Sequence, residues 1–268
     1  MSNALLGFLE HYGVKGMRWG VRKERKEIIK SYRAAQEEFN RRYAEQGAFT
    51  SVSEKKYSQL SDEDFVVGKD AVLRRTTKDL AGDAERKITY LSTNEADALI
   101  YRGIFPAENM GLGNSYKGYY ESTYEATTLL KSPSEKKRID GYMELMDSPE
   151  IKMKNGETIT GREYLKRCGL GDTVDQLSSK ELTLTYYGQF MRTQGQPDEP
   201  LTTAYFDKMA KQGYTALIDD HNQGFFSKTP IIVLEPYKNI KLKEVKQLTT
   251  QDVHDAITTL QPPEQKRR

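Results

Sequence analysis

The pattern of apolar and polar positions divides the chain into strand-like and helix-like segments. Short runs of apolar, β-branched and aromatic residues, bounded by turn residues, are typical of strands. The first half of the chain has such runs at 65–67, 71–77 and 88–92. Thr93 or Asn94 then fits the N-cap of a helix that extends to Tyr101, because acidic residues fill its first turn.

The rest of the chain predicts helices in the middle and strands near the end. Apolar positions spaced by three and four residues indicate helices at 124–130, 135–146, 161–168 and 201–212. Residues 103–120 indicate a loop or edge segment, and residues 182–192 alternate weakly. Further strands are predicted at 214–218, 230–234 and 240–245. Strands at both ends with helices between them predict an α+β fold over residues 63–260.

Charge is distributed unevenly, although the whole chain carries a net charge of only +2. Residues 15–43 hold ten lysines and arginines against four glutamates, a net charge of +6. Helical spacing of apolar residues within 24–45 predicts a helix with a narrow apolar stripe. Residues 1–46 therefore form a predicted basic arm. Such an arm suits an acidic partner or nucleic acid, but the interleaved glutamates favour a solvated helix over nucleic-acid binding.

Two further segments complete the predicted organisation. Serines and charged residues make 47–62 linker-like. Residues 261–268 contain two prolines and end in Lys-Arg-Arg, which predicts a disordered tail. No run of 18 or more apolar residues occurs, so we expect no membrane-spanning segment and no membrane partner.

The most distinctive segment is residues 11–22, His-Tyr-Gly-Val-Lys-Gly-Met-Arg-Trp-Gly-Val-Arg. Its glycines disfavour a helix, and its aromatic and basic side chains suit a short linear peptide that docks on a partner. Aromatic and arginine side chains are the usual anchors of such contacts. The candidate partner-binding residues are His11, Tyr12, Lys15, Met17, Arg18, Trp19 and Arg22. A loop that packs Trp19 on its own domain is the alternative.

The composition narrows the possible chemistry. One cysteine, Cys168, excludes a disulfide framework and zinc modules built on several cysteines. The common sequence signatures of nucleotide, zinc and serine-hydrolase sites do not occur. Asp219, Asp220, His221 and Asn222 could offer metal ligands, but consecutive side chains seldom converge on one ion and are ordinary turn residues. We therefore expect no metal.

The 11–22 motif closely resembles a short N-terminal motif that recurs in proteins of tailed bacteriophages and prophages. That resemblance covers about twelve residues, all within 11–22. It implies a protein docked to a phage head or portal protein through this motif. The expected locations are the virion, in or on the head, and the host cytoplasm.

Parts of the body resemble an ADP-ribosyltransferase domain of phage polyvalent proteins. The similar segments are Arg74, Leu91-Ser92-Thr93, 96–101, 213–218, 231–236 and Ile240-Lys241. The resemblance implies a split β-sheet with a helical insertion and NAD bound in its cleft. By position, Arg74 would touch phosphate, Ser92 and Thr93 would line the strand, and Tyr101 would lie near the nicotinamide. Arginine suits phosphate because its guanidinium presents several donors in one plane.

The sequence departs from the family at the catalytic carboxylate. The family's catalytic glutamate precedes the apolar strand, and Pro230 stands at the matching position. Glu235 follows the same strand at its far end, about 15 Å away. Asp219, Asp220 or Gln223 could substitute from the neighbouring turn. The candidate catalytic residues are Arg74, Ser92, Asp219 and Asp220.

Three hypotheses stay open at this point. The first is a particle-associated phage protein whose ADP-ribosyltransferase-like body has diverged from activity. The second is an active mono-ADP-ribosyltransferase that travels with the particle and modifies a host protein. The third is a nucleic-acid-binding arm on an unrelated body.

Overall fold

The computed structural model describes residues 52–78, 80, 88–111, 119–192, 199–218 and 229–260. Its strands are β1 Phe65–Val67, β2 Val72–Thr77, β3 Ile88–Ser92, β4 Tyr120–Ala126, β5 Leu130–Ser132, β6 Ile151–Lys152, β7 Thr158–Ile159, β8 Ala216–Ile218, β9 Pro230–Leu234 and β10 Ile240–Gln247. Six of them form a sheet in the order β10-β4-β2-β3-β9-β8, and every neighbouring pair is antiparallel. Two small sheets, β1-β5 and β6-β7, flank it.

The described residues also form nine α-helices. They are α1 Glu54–Ser58, α2 Glu95–Gly111, α3 Glu135–Asp147, α4 Gly161–Leu165, α5 Gly171–Gln176, α6 Ser179–Arg192, α7 Pro200–Lys211, α8 Pro236–Asn239 and α9 Thr250–Leu260. A short π-helix, Lys166–Leu170, joins α4 to α5 and bends at Gly169, whose φ is +93°. The predicted α+β fold is confirmed. No helix in the described ranges combines the length and apolar character that crossing a bilayer requires.

Both faces of the sheet are buried at β9, which explains its unbroken apolar sequence. Ile232 and Leu234 face α3, α6 and α7, which supply most of the larger core. Ile231 and Val233 face the smaller core, which Phe65 and Val67 of β1 help to cover. Burying each such side chain contributes about 1.5–3 kcal/mol. The sheet is thus held between a helical layer and a small second layer.

The segment that enters the domain packs on its helical layer. Val52 is buried and donates its backbone N–H to the carbonyl of Leu184 at 2.7 Å. The Tyr57 hydroxyl donates a hydrogen bond to Asp140, which together with burial raises the pKa of Tyr57 to about 12. Residues 52–60, which lie within the predicted linker 47–62, therefore contact the domain.

The structure differs from the sequence-based elements in the middle of the chain. Residues 120–126, part of which was predicted helical, form β4 between β2 and β10. The predicted loop after Tyr101 continues α2 to Gly111. The weakly alternating 182–192 belongs to helix α6, because Leu182, Leu184 and Tyr187 all bury against the core. The predicted arm 1–46, its motif 11–22, its helix 24–45 and the tail 261–268 lie outside the described residues.

Candidate functional site

Three residues from separate parts of the chain lie side by side across the sheet. Arg74 of β2 is the register partner of Ser92 of β3, and Ser92 is the register partner of Pro230 of β9. Two inter-strand spacings separate the Cα atoms of Arg74 and Pro230 by about 10 Å. Residues paired in register point to the same face of a sheet. We call this line the Arg74–Ser92–Pro230 row.

The end of β3 and the start of α2 are fixed by polar contacts beside the row. Asn94 caps α2, since its side-chain oxygen accepts the Asp97 backbone N–H at 2.9 Å. The Asn94 amide also donates to the Asp97 carboxylate at 2.8 Å. The Thr93 hydroxyl donates instead to the Thr229 carbonyl oxygen at 2.9 Å, which ties β3 to the residue before β9. The predicted capped helix is confirmed, with Asn94 as its cap.

A cluster of two arginines and two glutamates joins α2 to the face of the sheet that carries the row. Arg74 Nε lies 3.0 Å from Glu95 Oε2, and Arg102 Nη2 lies 3.1 Å from Glu95 Oε1. Arg102 also donates two hydrogen bonds to Glu121 of β4, both at 2.8 Å. These four residues are the arginine–glutamate cluster.

The members of the cluster differ strongly in exposure. The side chains of Glu121 and Arg102 are 9% and 18% exposed, whereas that of Glu95 is 50% exposed. Burial by itself would lower the pKa of Arg102, but its bonds to Glu121 and Glu95 raise it. The guanidinium therefore stays charged, and the buried Arg102–Glu121 pair anchors α2 to β4.

The structure brings together some of the predicted site residues. Arg74, Ser92 and Thr93 lie on or beside the row, and Ser92 is only 3% exposed. Tyr101 is half-buried on α2 and is rotated by about 100° around the helix axis from Arg102, which contacts Glu121 of β4. Asp219 and Asp220 lie outside the described residues, as do all seven predicted partner-binding residues.

No carboxylate of β9 lies on the row. Pro230 has no side-chain oxygen, and Glu235 follows the opposite end of the strand, where Leu234 pairs with Ile88. Glu235 accepts hydrogen bonds from Lys238 at 2.6 Å and from Tyr237 at 3.0 Å. Both contacts lower the pKa of Glu235. The expected separation of Glu235 from the row is thus a property of the fold.

Sequence reasoning missed Glu95, Arg102 and Glu121. The spacing of seven residues between Glu95 and Arg102 places both on one face of a helix, which was an available signal. Glu121 gave no signal, because its segment was not recognised as a strand. Two of these residues, Glu95 and Glu121, supply carboxylates on the same face of the sheet as Arg74.

A pocket of about 190 Å³ lies at the far end of β3 and β9, beside Phe206 and Leu234, and is separate from the row. The described residues contain no group of three or more His, Cys, Asp or Glu side chains placed to hold a metal ion.

Comparison with known proteins gives one match. A family of unknown function (DUF7211) matches residues 2–26, a stretch that includes the 11–22 motif. No curated protein and no solved structure matches the chain.

Proposed function

We propose that this is a tailed-phage protein that docks to the head or portal through residues 11–22 and carries an ADP-ribosyltransferase-like body that binds NAD. The observation that supports the body's role is the Arg74–Ser92–Pro230 row. The resemblance selected these positions from three distant stretches of sequence, and the strand register aligns all three. The likeness of the 11–22 motif to phage proteins supports the docking role.

The row offers two groups suited to a dinucleotide. A guanidinium pairs with phosphate through charge-assisted hydrogen bonds, and Arg74 is 27% exposed, so a ligand can reach it. Ser92 lies on the neighbouring strand at the same level but is only 3% exposed, so the role of its hydroxyl would be to order the strand beside the ligand. Pro230 supplies no carboxylate, and this supports binding of NAD without efficient transfer.

The second candidate function is an active mono-ADP-ribosyltransferase that modifies a host protein. One observation favours it: β8 ends at Ile218, which pairs with Ile231, the residue directly after Pro230. Asp219 and Asp220 follow Ile218 directly in sequence. A carboxylate from this segment would hold the ribose hydroxyl while positive charge develops on the sugar.

Isothermal titration calorimetry of the full-length chain with NAD tests the proposal. We expect saturable NAD binding that Arg74→Ala weakens by about tenfold or more, because a charge-assisted phosphate contact contributes about 1.5–3 kcal/mol. Arg167→Ala is the matched control, since Arg167 Nε also lies 3.0 Å from a glutamate oxygen but in a different part of the fold. Absence of NAD binding, or equal loss in both variants, would reject the NAD-binding body.

Incubation of the same proteins with labelled NAD and host lysate separates the two functions. The diverged body predicts no transferred label. The active enzyme predicts label that disappears in Arg74→Ala and in either Asp219→Asn or Asp220→Asn, but persists in Arg167→Ala. Label that resists all three substitutions in the proposed site would show that the chemistry lies elsewhere.

A further inference from the structure

The Glu95 carboxylate lies between two guanidinium groups. One of its oxygens is 3.0 Å from Arg74 Nε and the other is 3.1 Å from Arg102 Nη2. A single carboxylate with two oxygens thus forms ion pairs with two cations that come from different elements, β2 and α2. This is the arrangement that an oxyanion ligand with several oxygens would require.

Glu95 is the exchangeable member of the cluster. Arg102 has a second carboxylate, Glu121, which holds it by two hydrogen bonds in a largely buried setting. Glu95 has half of its side chain exposed, so it can rotate into water, and Arg74, the guanidinium that then loses its carboxylate, is itself 27% exposed. Arg102 would keep its position through Glu121, and Arg74 and Arg102 would both face the vacated space.

We propose that Arg74 and Arg102 form a two-arginine site for a diphosphate group, and that Glu95 competes with the ligand for this site. The identity of the ligand as the diphosphate of NAD rests on the proposed function, whereas the anion site rests on the cluster geometry alone. Two planar guanidinium groups suit a diphosphate, because each can donate to oxygens of one phosphoryl group.

The position of α2 adds to the attraction. Glu95 is the first residue of this 17-residue helix, and the helix dipole favours negative charge at this end. Arg74, Arg102, Glu95 and Glu121 together carry no net charge, and withdrawal of Glu95 leaves a net positive charge. The side chain of Glu95 therefore controls the affinity of the site for anions.

Titration of the full-length chain with inorganic pyrophosphate at low ionic strength tests the proposal, because pyrophosphate contains the diphosphate without nicotinamide or adenine. We expect Glu95→Gln to raise the pyrophosphate affinity by at least about threefold, since it removes a competing charge next to the arginines. The matched control is Glu163→Gln. Glu163 also lies 3.0 Å from an arginine Nε, that of Arg167, and is 45% exposed, so the net charge changes equally.

A second pair of variants tests Arg102 directly. Arg102→Lys retains the charge but loses the planar donor group. We expect it to reverse the gain when it is combined with Glu95→Gln. The two pyrophosphate affinities can be compared only if the melting temperature of the double variant lies within a few degrees of that of Glu95→Gln. If the double variant unfolds earlier, the comparison of Glu95→Gln with Glu163→Gln decides alone.

The possible results separate this inference from the proposed function. Tighter pyrophosphate binding by Glu95→Gln without any NAD binding would support the anion site and reject the NAD-binding body. NAD binding that depends on Arg74, with equal pyrophosphate affinity in Glu95→Gln and the unmodified chain, would reject the role of Glu95. An equal gain in Glu163→Gln would also overturn the proposal, because net charge alone would then explain the effect.

Discussion

Two glycines that begin neighbouring helices lie in very different surroundings. A Cβ atom on Gly161, at the start of α4, would lie 2.8 Å from the Leu145 carbonyl oxygen and 3.0 Å from the Met146 Cα. A Cβ atom on Gly171, at the start of α5, would meet nothing within 4 Å. Backbone atoms cannot yield as a flexible side chain does, so only Gly161 is required by close packing.

We therefore expect opposite effects from the same substitution at the two positions. Gly161→Ala should lower the free energy of unfolding by about 1–3 kcal/mol through overpacking. Gly171→Ala should raise it by about 0.4–1 kcal/mol, because alanine restricts the unfolded chain and Gly171 has ordinary helical dihedral angles. Urea unfolding of both variants checks this prediction. An equal change in both would show that α4 moves away from α3 to make room.

Candidate site residues were selected from sequence only where a resemblance to a known family pointed to them. Arg74 and Ser92 were identified by resemblance, and their register pairing is a feature that local sequence cannot express. Glu121 could not be found, because its role depends on β4 lying beside β2 and beneath Arg102. Contacts between distant segments are set by topology, and a single sequence carries little information on topology.

At the scale of elements, α9 begins with a reciprocal pair of hydrogen bonds. The Thr249 hydroxyl accepts the Asp252 backbone N–H at 3.1 Å, and Asp252 accepts the Thr249 N–H at 2.8 Å. Lys246 also donates to Asp252 at 2.6 Å. Burial alone would raise the pKa of Asp252, but the bonds from Lys246 and Thr249 lower it to about 2. This capping box joins β10 to α9.

We expect Asp252→Ala to lower the free energy of unfolding by about 1 kcal/mol at pH 7, as the loss of a helix cap usually does. The folded-state pKa lies below the unfolded value of 3.8, so the contribution is present above pH 3.8 and is lost as pH falls through about 2. The difference in melting temperature from the unmodified chain should therefore close towards pH 2. Asp255→Ala removes an exposed carboxylate of the same helix that takes no part in the cap, and it is the matched control for the loss of charge. A difference in melting temperature between Asp252→Ala and the unmodified chain that persists at pH 2 would contradict the role of the ionised Asp252 carboxylate in the cap.

Helices and strands were predictable where their burial requires a recognisable pattern of apolar residues. β9 is apolar throughout because both its faces are covered, and its strand was expected from sequence. β4 carries Glu121, Glu125 and several hydroxyl groups, since ion pairs with Arg102 and Lys243 replace apolar burial on one of its faces. Its sequence therefore lacks the alternation of apolar residues that identifies a half-buried strand.

At the scale of the whole molecule, the basic charge and the domain are separate in sequence. Residues 15–43 carry +6, whereas residues 44–268 carry −3. Val52 donates its backbone N–H to the Leu184 carbonyl of α6, which ties this part of the chain to the domain. The motif 11–22 lies about thirty residues before this contact, within the stretch that the family of unknown function matches. Docking and folding should therefore be separable functions of the chain.

Deletion of residues 11–22 tests this separation. We expect the shortened protein to keep the melting temperature of the unmodified chain, because the proposal places residues 11–22 on the partner and not in the core of the domain. We also expect it to be absent from purified phage particles. Mass spectrometry of particles, with the major head protein as internal reference, measures incorporation.

A shuffled motif is the matched control for charge. Residues 11–22 contain Lys15, Arg18 and Arg22 and no acidic residue, so a shuffled segment keeps a charge of +3 while it loses the order of its aromatic and glycine residues. Docking through specific anchors predicts that the shuffled protein fails to enter particles, as the deletion does. Binding by charge alone, to packaged nucleic acid for example, predicts normal entry and an affinity that falls steeply with salt. Normal entry of the deletion protein would show that the docking surface lies in the domain. The exposed edge strand β10 would then be the candidate docking surface.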